Sequence, residues 1–190
     1  MVNSSPVRTS IVTAPQGIQY HPDFITGDEE CRLIEAIEGL EFSEVRMHGI
    51  AAKRRVVHFG LVYGYETWRV KPGPPVPEFL IPLQVHVAEL LKTGPAALAE
   101  ILVTQYPPGA VIGWHRDAPM FGPDVAGISL LTPCRMRFQR GKGTKRETYA
   151  LALEPRSAYV LSGPARSTWQ HSIPPVKRLR YSVTFRTLRA

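Results

Sequence analysis

A chain of 190 residues and 21.2 kDa with 44% hydrophobic residues has enough apolar content to bury one core, which excludes a disordered or fibrous protein. Its 18 prolines and 15 glycines favour turns and short strands and weigh against an all-helical bundle. The 23 Lys and Arg exceed the 16 Asp and Glu for a net charge of +7, so the surface favours polyanions through counterion release, without itself selecting one.

No apolar run approaches the roughly 18 residues of a spanning helix, and Met1 to Pro15 lacks the charged-then-apolar layout of a signal peptide. Cys31 and Cys134 are too few for a disulfide framework and lack zinc-site spacing. The expectation is a soluble, cytoplasmic monomer without membrane contact, both cysteines packed inside. Residues 1–16 are polar and patternless and read as a flexible arm; 17–190 read as a single domain, with helices concentrated in 17–99 and a β-core in 100–190. Ile18 to Phe24 leads into the first element. Thr26-Gly27-Asp28-Glu29 has capping-box spacing, and Cys31, Leu33, Ile34, Ile37 and Leu40 follow at helical intervals, which predicts a helix from Asp28 to Glu38. The proline-rich loop Lys71 to Pro77 precedes a second helix through Phe79, Leu83, Val87, Leu90 and Leu91, stopped by Gly94-Pro95. Short β-rich runs then occupy Ile101–Tyr106, Ile112–Arg116, Val125–Leu131, Met136–Gln139, Thr148–Leu153, Ala158–Ser162 and Leu179–Leu188. The predicted class is α+β, a jelly-roll-like core with the N-terminal helices packed on one sheet.

His115-Arg116-Asp117 is the first constellation with chemistry, because residues two apart on a strand point to one face and both His115 and Asp117 can reach one ion. His171 supplies a third donor, and two imidazoles plus one carboxylate leave positions open on ferrous iron. In Arg180-Tyr181-Ser182-Val183-Thr184-Phe185-Arg186 the even positions share one face, which places two guanidinium groups toward the interior, roughly 20 Å apart at their Cα atoms. Inward arginines need anions, and their long arms suit a small dicarboxylate.

These residues resemble the AlkB-type Fe(II)- and 2-oxoglutarate-dependent dioxygenases. The likeness spans about Arg54 to Arg189 and rests on Tyr106-Pro107-Pro108-Gly109-Ala110 leading into His115-x-Asp117, then Trp169-Gln170-His171, then Arg180-x-Ser182-x-Thr184-Phe185-Arg186. It implies a double-stranded β-helix core, iron on His115, Asp117 and His171, and 2-oxoglutarate held by Tyr106, Arg180 and Arg186, with O2 as the third reactant. Thr104 and Ser182 stand where the family often places asparagines and can still bond a carboxylate. Pro119 stands where the DNA-repair founder has an acidic residue that reads the alkylated base. Arg55 to Tyr65 resembles the substrate-lid segment and is closer to the branch that includes the tRNA wobble-uridine hydroxylase, which makes Arg55, His58, Tyr63 and Tyr65 candidate substrate contacts. Aromatic groups suit an extruded base, while Phe59, Tyr63 and Tyr65 at period two also suit a core-facing strand. The implied activity is oxidative dealkylation of N-alkylated bases in single-stranded DNA or RNA, releasing formaldehyde, succinate and CO2. Hydroxylation of a tRNA modification, a protein or a small molecule is the alternative within the same chemistry, and a non-catalytic nucleic-acid-binding module is the alternative outside it.

Overall fold

A computed structural model describes residues 13–47, 50–64 and 70–189. The elements are β1 (Ile18–His21), α1 (Gly27–Glu38), β2 (Ser43–Met47), β3 (Ile50–Tyr63), β4 (Val70–Pro72), α2 (Ile81–Leu90), β5 (Glu100–Tyr106), β6 (Ile112–His115), β7 (Phe121–Leu130), β8 (Cys134–Arg140), β9 (Glu147–Leu153), β10 (Ala158–Leu161), α3 (Gly163–Ser167), β11 (Gln170–Ile173) and β12 (Arg180–Leu188). Among the described residues no helix is long and apolar enough to cross a membrane.

Two antiparallel sheets face each other. The larger runs β1-β10-β7-β12-β5-β3-β2, with β4 paired to β3, and the smaller runs β6-β11-β8-β9. This is a double-stranded β-helix with both long helices on the outer face of the larger sheet. Thr26 caps α1 through the expected box, its Oγ1 accepting from the Glu29 amide at 3.2 Å while Glu29 Oε2 accepts from the Thr26 amide at 2.7 Å. Leu33 and Ile37 of α1 and Leu83, Val87 and Ala88 of α2 meet Val103, Ile128, Val183 and Phe185 of the sheet in the main apolar cluster.

The region 17–99 is richer in strands than the sequence suggests, since β1 to β4 all lie in it and β3 joins the larger sheet beside β5. Gly60 in β3 has φ +76°, and a Cβ there would strike the Ala99 carbonyl, so the strand requires glycine where it passes from pairing with β5 to pairing with β4. Cys31, expected inside, is exposed. The buried side of α1 carries Glu30 instead, whose Oε1 accepts from the Leu131 amide at 2.8 Å, and one residue's step turns Cys31 about 100° away. Cys134 is half-buried.

Candidate active site

The register between β12 and β5 sets Arg180 opposite Tyr106, Ser182 opposite Thr104, Thr184 opposite Leu102 and Arg186 opposite Glu100. Because side chains alternate, all eight face the smaller sheet, while Tyr181, Val183 and Phe185 turn toward the helices. Between the sheets lies a cavity of about 610 Å³ lined by Thr104, Tyr106, Thr184 and Arg186 on one side and by His115 and His171 on the other. Tyr159 also lines it, lying over Gly127, where any Cβ would collide with its ring.

His115 and His171 are cross-strand partners on β6 and β11, with ring centroids 4.2 Å apart. Asp117 follows the end of β6, its Oδ2 3.7 Å from His171 Nε2. Arg166 of α3 pins this turn, donating to the Asp117 carbonyl at 3.1 Å and the Ala118 carbonyl at 2.9 Å. Arg116, just past the end of β6, is exposed, and its Nη1 donates to the Thr168 carbonyl at 3.4 Å.

Among the described residues no three His, Cys, Asp or Glu side chains are gathered around one metal-sized point, and Asp117 Oδ1 accepts from Arg186 Nη2 at 2.6 Å. The donor chemistry nevertheless fits a ferrous ion. His115 Nδ1 lies 2.9 Å from the Gly113 carbonyl; a carbonyl only accepts, so Nδ1 carries the proton and Nε2 is the nitrogen left to meet an ion. Burial, against the pull of Asp117, pushes the His171 imidazole down to about 4, which leaves it neutral and ligating near pH 7. Burial also disfavours the Asp117 charge, but Arg186 and then the two imidazoles outweigh it and hold the carboxyl well below the usual carboxylate range. Two imidazole nitrogens and one carboxylate are the donor set for iron with open positions.

Arg180 supplies the test for the co-substrate. It is 1% exposed, its guanidinium lies 4.8 Å over the Tyr106 ring, and Nη2 donates to Ser129 Oγ at 3.2 Å. Among the described residues its Nε and Nη1 have no partner. A buried cation with two unsatisfied donors costs stability on the order of 1–3 kcal/mol or more per group, and an anionic acceptor such as a carboxylate relieves that cost. Arg186 is different, for Nη1 donates to Glu100 Oε2 at 2.7 Å and Nη2 to Asp117.

The candidate substrate residues divide. Arg55 pairs in the ladder with Gln105, whose side chain reaches Tyr181 on the helix side, so this exposed arginine lies on the face opposite the cavity and is not brought to the site. His58 does face the smaller sheet, but its Nδ1 lies 3.0 Å from Glu100 Oε1 and it is absent from the cavity wall. Phe59 is buried in the main core. Tyr65 lies outside the described residues, as does the side chain of Tyr63. The cavity mouth is instead rimmed by Arg54, Trp114 and Arg116. Trp114 is 38% exposed, with the Arg137 guanidinium 5.2 Å from its ring; Trp169 is buried in the smaller core. Sequence reasoning missed Glu100, Tyr159 and Arg166, whose only sequence signal is a charged or polar residue beside apolar strand residues.

A sequence profile described as the 2OG-Fe(II) oxygenase superfamily matches residues 26–186. The chain is 32% identical over 181 residues to an Arabidopsis thaliana protein named alkylated DNA repair protein ALKBH8 homolog, covering 83% of this chain and 51% of that protein. It is 30% identical over 168 residues to the Mus musculus tRNA (carboxymethyluridine(34)-5-O)-methyltransferase ALKBH8, covering 86% of this chain and 25% of that one. The chain therefore spans about half or less of the length of these relatives. The solved structure of OsALKBH1 superposes with a TM-score of 0.70 at 15% identity over 93% of this chain and 98% of that one, a likeness of fold.

Proposed function

The chain belongs to the 2OG-Fe(II) oxygenase superfamily, and from that premise we propose that it oxidatively dealkylates N-alkylated bases in single-stranded DNA or RNA. It is an AlkB-type dioxygenase that uses Fe(II), 2-oxoglutarate and O2, so the non-catalytic reading falls away. In this proposal His115, Asp117 and His171 hold the ion. Arg180 receives the distal carboxylate of 2-oxoglutarate, with Tyr106, Thr104 and Ser182 around it, and Arg186 faces the other end. O2 is the oxidant: with the ferrous ion bound, one of its oxygen atoms would go to 2-oxoglutarate, giving succinate and CO2, and the other to an N-methyl group, whose hydroxymethyl product would collapse to formaldehyde and the free nitrogen. The chain's own work is to keep the His171 imidazole neutral, hold the dicarboxylate along β12 and present the substrate at the mouth.

The observation that carries the nucleic-acid reading is that mouth: a cavity of about 610 Å³, of a size for a co-substrate and one base, opening between two arginines and a half-exposed tryptophan. Cations meet the flanking phosphates and the indole offers a stacking face. A second reading, hydroxylation of a modified tRNA uridine, is favoured by the tRNA named in the mouse relative. Anaerobic loading with Fe(II) and 2-oxoglutarate, followed by oxygen and a panel of N-methylated DNA and RNA strands, tests the proposal by base mass and succinate together. Methyl loss matched by succinate on single strands is expected, with weaker activity on duplex, which must first surrender the base. His115→Ala, Asp117→Ala and His171→Ala each abolish it in a folded protein. Succinate formed only with tRNA carrying a modified uridine moves the assignment to the second reading.

A further inference from the structure

Glu100 is fully buried at the head of β5, behind the cavity wall. A carboxylate in that position persists only if paired, and each of its oxygens has a partner: Oε1 meets His58 Nδ1 at 3.0 Å and Oε2 accepts from Arg186 Nη1 at 2.7 Å. Arg186 in turn divides its terminal nitrogens between two carboxylates, with Nη2 on Asp117 Oδ1 at 2.6 Å. A guanidinium facing one carboxylate alone takes it in a two-pronged grip, which here would draw both Asp117 oxygens away from the imidazoles. With Glu100 on the other nitrogen, Asp117 gives up one oxygen and keeps Oδ2 toward His171. Backbone pairing from Arg55 to Gly60 already joins β3 to β5, so the side chain of Glu100 is not needed to hold the strands together.

We propose that Glu100 is a positioning residue for 2-oxoglutarate, holding Arg186 from the side opposite Asp117 in the orientation that receives the co-substrate, and that His58 braces Glu100 from β3. This rests on the reading of Arg186 as a co-substrate ligand. His58 thereby supports the co-substrate end of the site instead of touching substrate.

The test is calorimetric binding of 2-oxoglutarate to protein loaded with Mn(II) in place of iron, with KM for 2-oxoglutarate, kcat and urea stability measured alongside. Glu100→Gln keeps the shape and removes the charge, and should raise the dissociation constant and KM about tenfold, the worth of a charge-assisted hydrogen bond, with kcat at saturating co-substrate within about threefold. His58→Ala should move both constants in the same direction by about threefold, and it decides the matter if Glu100→Gln does not fold. Arg186→Lys separates the two layers. If it leaves the dissociation constant unchanged, the reading of Arg186 fails; if it weakens binding while Glu100→Gln and His58→Ala do not, the positioning role alone fails. Tighter binding in Glu100→Gln also overturns the proposal, because Glu100 would then be competing with the co-substrate for Arg186.

Discussion

Arg180 and Arg186 sit on the same face of the same strand, and yet one is buried off the cavity wall with donors unmet among the described residues, and the other is a braced node on that wall. Arg180 is almost wholly buried with one hydroxyl for a partner and two donors unmet among the described residues. Arg186 is held between Glu100 and Asp117. The difference follows from the neighbours that the ladder supplies: an aromatic ring opposite Arg180, a carboxylate opposite Arg186. An identical side chain is thus made a binding group at one end, where its energy is held in reserve for a ligand, and a scaffold at the other, where most of it is already committed.

Removing each arginine should break this symmetry in opposite ways. Arg186→Met leaves buried Glu100 with His58 alone and takes the closest cation from buried Asp117, and should cost the metal-free protein about 3–5 kcal/mol by urea unfolding. Arg180→Met deletes a buried charge that has little to lose, so stability should stay within about 1 kcal/mol of wild type or rise. The same variant should weaken 2-oxoglutarate binding by roughly thirtyfold or more, about 2 kcal/mol. Equal destabilisation by the two substitutions would erase the distinction between receptor and node.

Acid sharpens the contrast at lower cost. Burial works against the Glu100 charge, but His58 and Arg186 prevail and hold its carboxyl below the usual range. A depressed native value means that the unfolded chain takes up the proton first, so the stabilisation is fully present above the ordinary Glu value of about 4.3 and is lost as pH falls through the lower native one. Urea midpoints of the metal-free protein should therefore drop more steeply below about pH 4.3 in wild type than in Glu100→Gln. Parallel acid limbs in the two proteins would mean that Glu100 carries no net ionic stabilisation.

Local pattern made some of this legible and register hid the rest. His115-x-Asp117, His171 and the alternation along β12 are visible because each depends on residues a few positions apart, and α1 is visible because its capping box is local. Strand β11 is four residues, Gln-His-Ser-Ile, too short and polar to show a period. Strand β3 is long but interrupted by Lys53, Arg54, Arg55 and a bend at Gly60. The pairing of Glu100 with Arg186 spans 86 positions and exists only once β5 and β12 are aligned, so nothing local marks Glu100 as part of a site. For the same reason Arg55 resembles a substrate residue in a motif but lies on the wrong face once its ladder partner is known. Phe121 to Asp124 joins β7 despite Gly122 and Pro123, which read as a break; a Cβ at Gly122 would strike the Thr187 side chain, so that glycine allows close approach to β12.

The smallest effect on the folded molecule should come from a third group of cations, those on the β8–β9 hairpin. Lys142, Lys145 and Arg146 are exposed, and unlike the two buried arginines they face solvent, where salt screens them and each contributes little to folding. Their replacement by Glu should shift stability by no more than about 0.5 kcal/mol and leave 2-oxoglutarate binding alone. If the hairpin helps hold a nucleic-acid strand leading to the mouth, the same variant should bind single-stranded oligonucleotides more weakly, and its affinity should depend less on salt. Each lost phosphate contact removes about 0.7 from the slope of log affinity against log salt for a single strand, so three lost contacts amount to about 2. Anisotropy titrations at several salt concentrations measure this directly. An unchanged slope would confine the phosphate contacts to Arg54 and Arg116 at the rim, and a wild-type affinity indifferent to salt would count against a nucleic-acid substrate altogether.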